Sequence, residues 1–110
     1  MKSNTEWYGV LGLAARAGAL AVGESACLRA IRLGQVKLVL LATDAGANGA
    51  KKMKDKCAYY HVKVIQALSK DEIGRGIGKD WRTVVAVTQE GFAHRLGQVL
   101  MDMMEVKAFD

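Results

Sequence analysis

The segment Gly23-Glu24-Ser25-Ala26-Cys27-Leu28-Arg29-Ala30-Ile31-Arg32 carries the residues of this chain best suited to hold an anion. Cys27, Ala30 and Ile31 recur at i, i+3 and i+4 and form one apolar helical face. Ser25, Arg29 and Arg32 recur at i, i+4 and i+7 and form the opposite face. A glycine-led helix N-terminus offers free backbone N–H groups, and two arginines one turn apart add forked donors. That combination can bind phosphates. An ordinary amphipathic helix with solvated arginines has the same spacing, and spacing alone favours it.

Other candidate chemistry is sparser. Gly74-Arg75-Gly76-Ile77-Gly78 is glycine-rich, yet it falls inside a short helix and lacks the spacing of a dinucleotide loop. Gly46-Ala47-Asn48-Gly49-Ala50-Lys51-Lys52 does follow a buried strand and open a helix. It lacks the length and the Gly-Lys-Ser/Thr ending of a nucleotide triphosphatase loop, although an anion-binding helix N-terminus stays open there. Asp44 ends a central strand, where open α/β sheets place their binding crevice. A lone aspartate there is more often a helix cap or loop acceptor than a catalyst. His61 and His94 are far apart and show no acidic partner pattern. Cys27 and Cys57 form no Cys-x-x-Cys pair and fall on apolar helical stripes, so buried free thiols are expected, with no metal and no cofactor. No nucleophile–base pair, metal set or cofactor loop is visible, which predicts a non-enzymatic protein.

An unbroken alternation of helices and strands positions these residues. Ser3 and Glu6 form a capping-box pattern before a first helix with Tyr8, Leu11 and Ala15 on its buried stripe, stopped by Gly18. Ala19 to Val22 reads as a short strand, and a second helix runs from about Glu24 to Leu33 before Gly34. Leu38 to Ala42 shows no alternation, which predicts a strand buried on both faces. A third helix follows Gly46, with Ala50, Met53, Cys57 and Tyr60 inward and Lys51, Lys52, Lys54 and Lys56 on a solvated side. Val62 to Ile65 is a third strand. Ser69-Lys70-Asp71-Glu72 is a second capping box, opening a helix through Ile73 and Ile77 that stops at Gly78. Thr83 to Thr88 is a β-branched strand, and the last helix aligns Phe92, Leu96, Val99, Leu100 and Met103. This order predicts an α/β sandwich, with a central sheet of four strands and helices on both sides. No repeat, linker or low-complexity tract divides residues 1–110, so one domain is expected.

Composition narrows the partners. The formal charge of +5 favours a polyanion such as nucleic acid. Fifteen of the sixteen Lys and Arg residues precede residue 101, while Asp102, Glu105 and Asp110 leave the C-terminal end slightly acidic. The basic charge therefore belongs to the body of the fold. The stretch Met1 to Trp7 lacks the apolar core of a signal peptide, and the longest purely apolar run, Leu38 to Ala42, is too short to span a membrane. A cytoplasmic protein without membrane contact is expected.

From Leu11 to about Leu96 the chain resembles the bacterial, YlxQ-type branch of the kink-turn-binding ribosomal protein family, the L-seven-Ae / L-thirty-e superfamily. Five stretches carry the resemblance: Gly12 to Gly18, Gly23 to Ile31, Lys37 to Asp44, Asp55 to Tyr60 and Glu72 to Gly78. Each is weak alone; their order and spacing together are fairly specific. The resemblance implies a three-layer α/β/α sandwich around a four-stranded mixed sheet. It also implies binding to structured RNA, ribosomal or kink-turn-like, in translation, with the ribosome or translation factors as further partners.

Members that bind kink-turns tightly open the second helix with Gly-x-Asn-Glu-x-x-Lys, whose Asn and Glu bond the sheared guanines while the Lys supports them. Here Gly23 matches the glycine, Ser25 stands for Asn, Ala26 for Glu and Arg29 for Lys. Arg29 keeps the charge and adds a planar fork, Ser25 keeps a shorter hydroxyl, and Ala26 has no acceptor. The implied consequence is weakened conventional kink-turn recognition. The family's apolar loop that cradles an extruded base falls at Ala67, Leu68 and Ser69, although Leu68 also fits a hydrophobic staple to Ile73. The Thr43-Asp44-Ala45-Gly46 turn is the third wall. The expected RNA face thus comprises Gly23, Ser25, Ala26, Arg29, Arg32, Lys37, Asp44, Ala67, Leu68, Ser69 and Lys70. Arg29, Arg32, Lys37 and Lys70 would hold phosphates. The alternative is a protein-interaction module on the same fold that has lost RNA affinity, which the missing Asn-Glu pair favours.

Overall fold

The computed structural model describes residues 5–109, with side chains as far as Met104. Its elements run α1 (Glu6–Arg16), β1 (Leu20–Val22), α2 (Glu24–Arg32), β2 (Leu38–Leu41), α3 (Ala47–Tyr59), β3 (Val64–Ile65), α4 (Lys70–Gly76), β4 (Val84–Val87) and α5 (Glu90–Phe109). The strands form one sheet in the order β1-β4-β2-β3. β4 is antiparallel to both β1 and β2, and β2 is parallel to β3, so the sheet is mixed.

β2 and β4 are buried along their whole length, which is why neither alternates apolar with polar residues. Their side chains divide by parity between two cores. Leu38, Leu40, Val85 and Val87 pack with Trp7, Leu11, Ile73, Leu96 and Leu100 of α1, α4 and α5. Val39, Leu41, Val84 and Ala86 pack with Cys27, Ile31, Met53 and Cys57 of α2 and α3. The sheet lies between two helical layers, as the three-layer sandwich requires.

The first four helices stop in the same way. In α1, Gly18 N–H donates to Ala15 O and Ala19 N–H to Ala14 O; in α2, Gly34 and Gln35 do the same to Ile31 and Ala30. His61 and Val62 close α3, and Gly78 and Lys79 close α4, with the same paired bonds. The turn needs a positive φ, which glycine supplies without Cβ strain, whereas His61 adopts it at 59°. These closures explain where strands begin. The Val62 N–H is engaged by Cys57, so β3 starts at Val64 and not at Val62. Tyr60, expected on the buried stripe, is the residue after α3 and stands exposed, edge-on to Tyr59.

α1 is also rotated from its expected stripe. It buries Trp7, Val10, Leu11 and Ala14, while Tyr8 is exposed and Ala15 half-buried. Gly76 of α4 permits this packing, since a Cβ there would come within 2.6 Å of Leu11 Cδ2. Ser3 lies outside the described residues. Thr5 is the N-cap, which makes Glu6 the first helical residue; its carboxylate meets Arg95 of α5 at 3.1 Å.

The capping box of α4 forms as read, with Ser69 Oγ accepting from Glu72 N–H and Glu72 Oε1 accepting from Ser69 N–H. The glycines of Gly74-Arg75-Gly76 serve packing. A Cβ on Gly74 would lie 2.2 Å from Asp80 O and 2.8 Å from Trp81 Cα, so the 80–81 segment closes directly over the helix. Gly74→Ala should lower stability by about 1–3 kcal/mol in urea unfolding, despite a helix-propensity gain of up to about 1 kcal/mol. A neutral result would mean that the segment moves freely.

Cys27 and Cys57 are free and buried between α2, α3 and the sheet. Burial pushes the Cys57 thiol up to about 11; burial and then the neighbouring Cys57 push Cys27 to about 12. Both are therefore protonated at neutral pH, and the thiolate is the reactive species. Maleimide labelling at pH 7.5 should run at least about 100-fold slower in native protein than in denaturant. Fast native labelling would contradict the packing.

Candidate nucleic-acid interface

The ladder bonds assign each predicted site residue to one end of the sheet or the other. Gly23 N–H donates to Val84 O and Ala42 N–H to Thr83 O, so the start of α2 and the end of β2 lie together at the start of β4. Lys37 N–H donates to Val87 O, at the far end of β4. About five residues of extended chain, roughly 16 Å, separate Lys37 from Ala42. Lys37 therefore leaves the expected face; it borders an open hollow with Lys63, Glu90 and His94. Arg32 closes α2, roughly 12 Å along its axis from Glu24 and toward the Lys37 end. Two of the four expected phosphate-holding cations, Arg32 and Lys37, thus lie toward the opposite end of the sheet from Gly23. Residue spacing records position along the chain but not which end of the sheet the chain has reached.

At the Gly23 end, two turns are fastened to each other. Thr43 N–H donates to Leu68 O at 2.9 Å, and Gln66 Nε2 donates to Ala42 O at 3.2 Å. Lys70 N–H donates to Asp44 Oδ1 at 2.8 Å. Asp44 thereby acts as an acceptor for the first turn of α4 from the end of the neighbouring strand β2, a favourable place for a carboxylate. Ser69, engaged with Glu72, completes the cap.

Leu68 is 2% exposed and belongs to the same core cluster as Ile73, as the staple reading expects. Ala67 is half-buried against the same core.

Ser25, Ala26 and Arg29 remain exposed and line one open hollow of about 350 Å³ beside Ala21, Leu33 and Gln35. Glu24 accepts from Lys52 Nζ at 3.2 Å, bridging the first turn of α2 to the second turn of α3. Its carboxylate already complements the N-terminal dipole of α2, which disfavours a second anion there. The arginine edge of the hollow, and not the helix N-terminus, is the better phosphate contact.

Sequence reasoning missed Trp81. The residue is 57% exposed, and Lys70 Nζ sits 5.2 Å from its ring centroid, an interaction worth about 0.5–1 kcal/mol at exposed sites. Arg82 N–H donates to Lys70 O, and the Arg82 guanidinium folds back on Asp80 O and Trp81 O. The signal was present in Lys79-Asp80-Trp81-Arg82, where basic and aromatic residues interleave between a helix stop and a strand.

Residues 5–97 match the model of the Ribosomal protein L7Ae/L30e/S12e/Gadd45 family. The chain belongs to this family. RNA-binding protein YlxQ of Bacillus subtilis (strain 168) is 48% identical over 98 residues, covering 89% of this chain and 98% of that protein. RNA-binding protein YlxQ of Enterococcus faecium is 40% identical over 91 residues, covering 83% and 87%. These relatives place the chain in the YlxQ-type branch. A solved structure of a Bacillus halodurans C protein of unknown function superposes with a TM-score of 0.84 at 41% identity, over 87% of this chain and 97% of that one. The Giardia lamblia 15.5kD RNA binding protein superposes with a TM-score of 0.76 at 16% identity, over 93% and 88%, and shows the shared fold alone.

The Asp44–Lys70 bond is one of three ties that hold the two turns together. Asp44→Ala should cost about 1 kcal/mol in urea unfolding and speed hydrogen exchange of the Lys70 amide. Asp44→Asn, which keeps an acceptor, should cost less. Unchanged exchange at Lys70 would show that the tie is not formed in solution.

Proposed function

We propose that this chain is a single, cytoplasmic, non-catalytic RNA-binding domain that associates with structured RNA of ribosomal or kink-turn type in translation. The observation that carries this reading is that the start of α2, with Ser25 and Ala26 exposed, and the Asp44–Lys70 fastening lie at one end of the sheet. Similarity to the two YlxQ proteins, both RNA-binding by name, supports it, as does the net charge of +5. A binding role fits the side chains at this rim, where Glu72 and Asp44 accept backbone N–H groups. No helix among the described residues is long and apolar enough to cross a membrane.

In this reading Arg29 and Lys70 hold phosphates, and RNA shape supplies most of the selectivity. Conventional kink-turn recognition is weakened because exposed Ala26 presents no acceptor to a guanine edge. Two phosphate contacts give a log K against log salt slope of roughly −1.4 to −1.8. Four contacts, Lys37 and Arg32 included, would give roughly −2.8 to −3.6. Lys37→Ala should therefore leave affinity unchanged, while Arg29→Ala should cost about 1–3 kcal/mol.

The double change Ser25→Asn, Ala26→Glu tests the site itself. It should tighten binding to a kink-turn hairpin by one or more orders of magnitude, at about 1–3 kcal/mol per good base contact. The gain should vanish when the tandem sheared G·A pairs become Watson–Crick pairs, because the added carboxylate only repels a phosphate backbone. A double mutant that binds no better would mean that α2 does not face the RNA. Absence of RNA binding by the unmodified protein would leave the interaction-module reading.

A further inference from the structure

Two arginines from different helices meet at a hollow that shares no residue with the face described above. Arg16 lies in the last turn of α1 and Arg75 in the last turn of α4. Both are exposed, and with Tyr8, Gly9, Gly12 and Gly76 they line an opening of about 390 Å³. Among the described residues no Asp or Glu lines it, and neither arginine makes an ion pair. The hollow beside Lys37 is different, because Glu90 and Asp102 offset Lys37 and Lys63 there.

A cation in the last turn complements its own helix dipole, which accounts for each arginine singly. It does not account for their meeting. Each helix end contributes roughly half a negative charge against a full positive one, so the hollow stays net positive. Two guanidinium forks without a carboxylate suit an anion that offers several oxygens, and a phosphate matches them in shape. The backbone beside them is bare. Gly9 lies inside α1, where glycine is destabilising relative to alanine, yet a Cβ there would meet nothing within 4 Å and no positive φ requires glycine. At Gly12 a Cβ would stand 3.4 Å from Arg16 Nη1 and 3.5 Å from Gly76 O, so the guanidinium lies back along the helix. Missing side chains let a sugar–phosphate strand come close to α1.

We propose that Arg16 and Arg75 form a second RNA contact, each holding one backbone phosphate, separate from the α2 and Asp44–Lys70 face. The contact rests on the RNA reading above and makes the protein bivalent, with a folded hairpin at α2 and its flanking strand at the α1–α4 hollow.

The probes are a kink-turn hairpin, the same hairpin with oligouridylate tails on both ends, and a version whose tails carry an uncharged methylphosphonate backbone. Each is titrated by fluorescence anisotropy. Wild type should bind the tailed hairpin about tenfold or more tightly than the bare one, and uncharged tails should give no gain. Arg16→Ala/Arg75→Ala should bind the bare hairpin as wild type does and lose the gain from the tails. Its log K against log salt slope on the tailed hairpin should be shallower by roughly 1.4, for two single-strand phosphates. Gly9→Gln should lose the same gain while raising Tm, since a better helix former fills the hollow without changing its charge. That variant reads the site even where the arginine pair fails to fold. A tail gain that survives in either folded variant, or no tail gain in wild type, would overturn the second contact and leave the RNA reading intact. Failure of wild type to bind any of these RNAs would overturn both.

Discussion

The antiparallel pairing of β2 with β4 is the constraint on which the rest of this molecule depends. Both strands are apolar along their whole length, so each must be covered on two faces. Parity along the strands then feeds one core under α1, α4 and α5 and another under α2 and α3. The same register sets Gly23 and Ala42 beside the start of β4 and Lys37 beside its end. Where the functional residues lie therefore follows from the ladder, not from the helices that carry them.

Once the sheet is set, the candidate interface is assembled by short polar ties. Asp44, Gln66 and Thr43 fasten the turn after β2 to the turn before α4, and Arg82 fastens the turn before β4 to Lys70. These bonds use up groups that a sequence reading offers to a ligand: one oxygen of Asp44, the Ser69 hydroxyl and the Leu68 carbonyl. Their gain is rigidity, since loops with satisfied backbone groups present neighbouring side chains at lower entropic cost on binding.

Electrostatics at this rim are mixed, which bears on selectivity. Glu24 lies at the α2 N-terminus and pairs with Lys52, so the basic charge is not uniform. Exposed ion pairs of this kind add little stability. In the RNA reading proposed above, such a mixed surface would rely on shape and base contacts more than on phosphate neutralisation, with Ser25 and Ala26 limiting the base contacts that α2 makes.

The alternation of elements, the three glycine helix stops, the Ser69 capping box and the doubly buried β2 were legible from the sequence, because each depends on residues within a turn or two of one another; the His61 stop of α3 was not. The family resemblance was legible for the same reason, as a string of local patterns in order. The Ser25, Arg29 and Arg32 face was legible because spacing along one helix sets it, and Ala26 joined it only through the family resemblance. The burial of Leu68, the separation of Lys37 from the rim, the partner of Asp44 and the exposure of Trp81 were decided by tertiary structure alone. Each depends on strand direction or on a contact between residues far apart in the chain, such as Asp44 with Lys70. Periodicity tells which side of an element a residue occupies; only the packed sheet decides what stands opposite it.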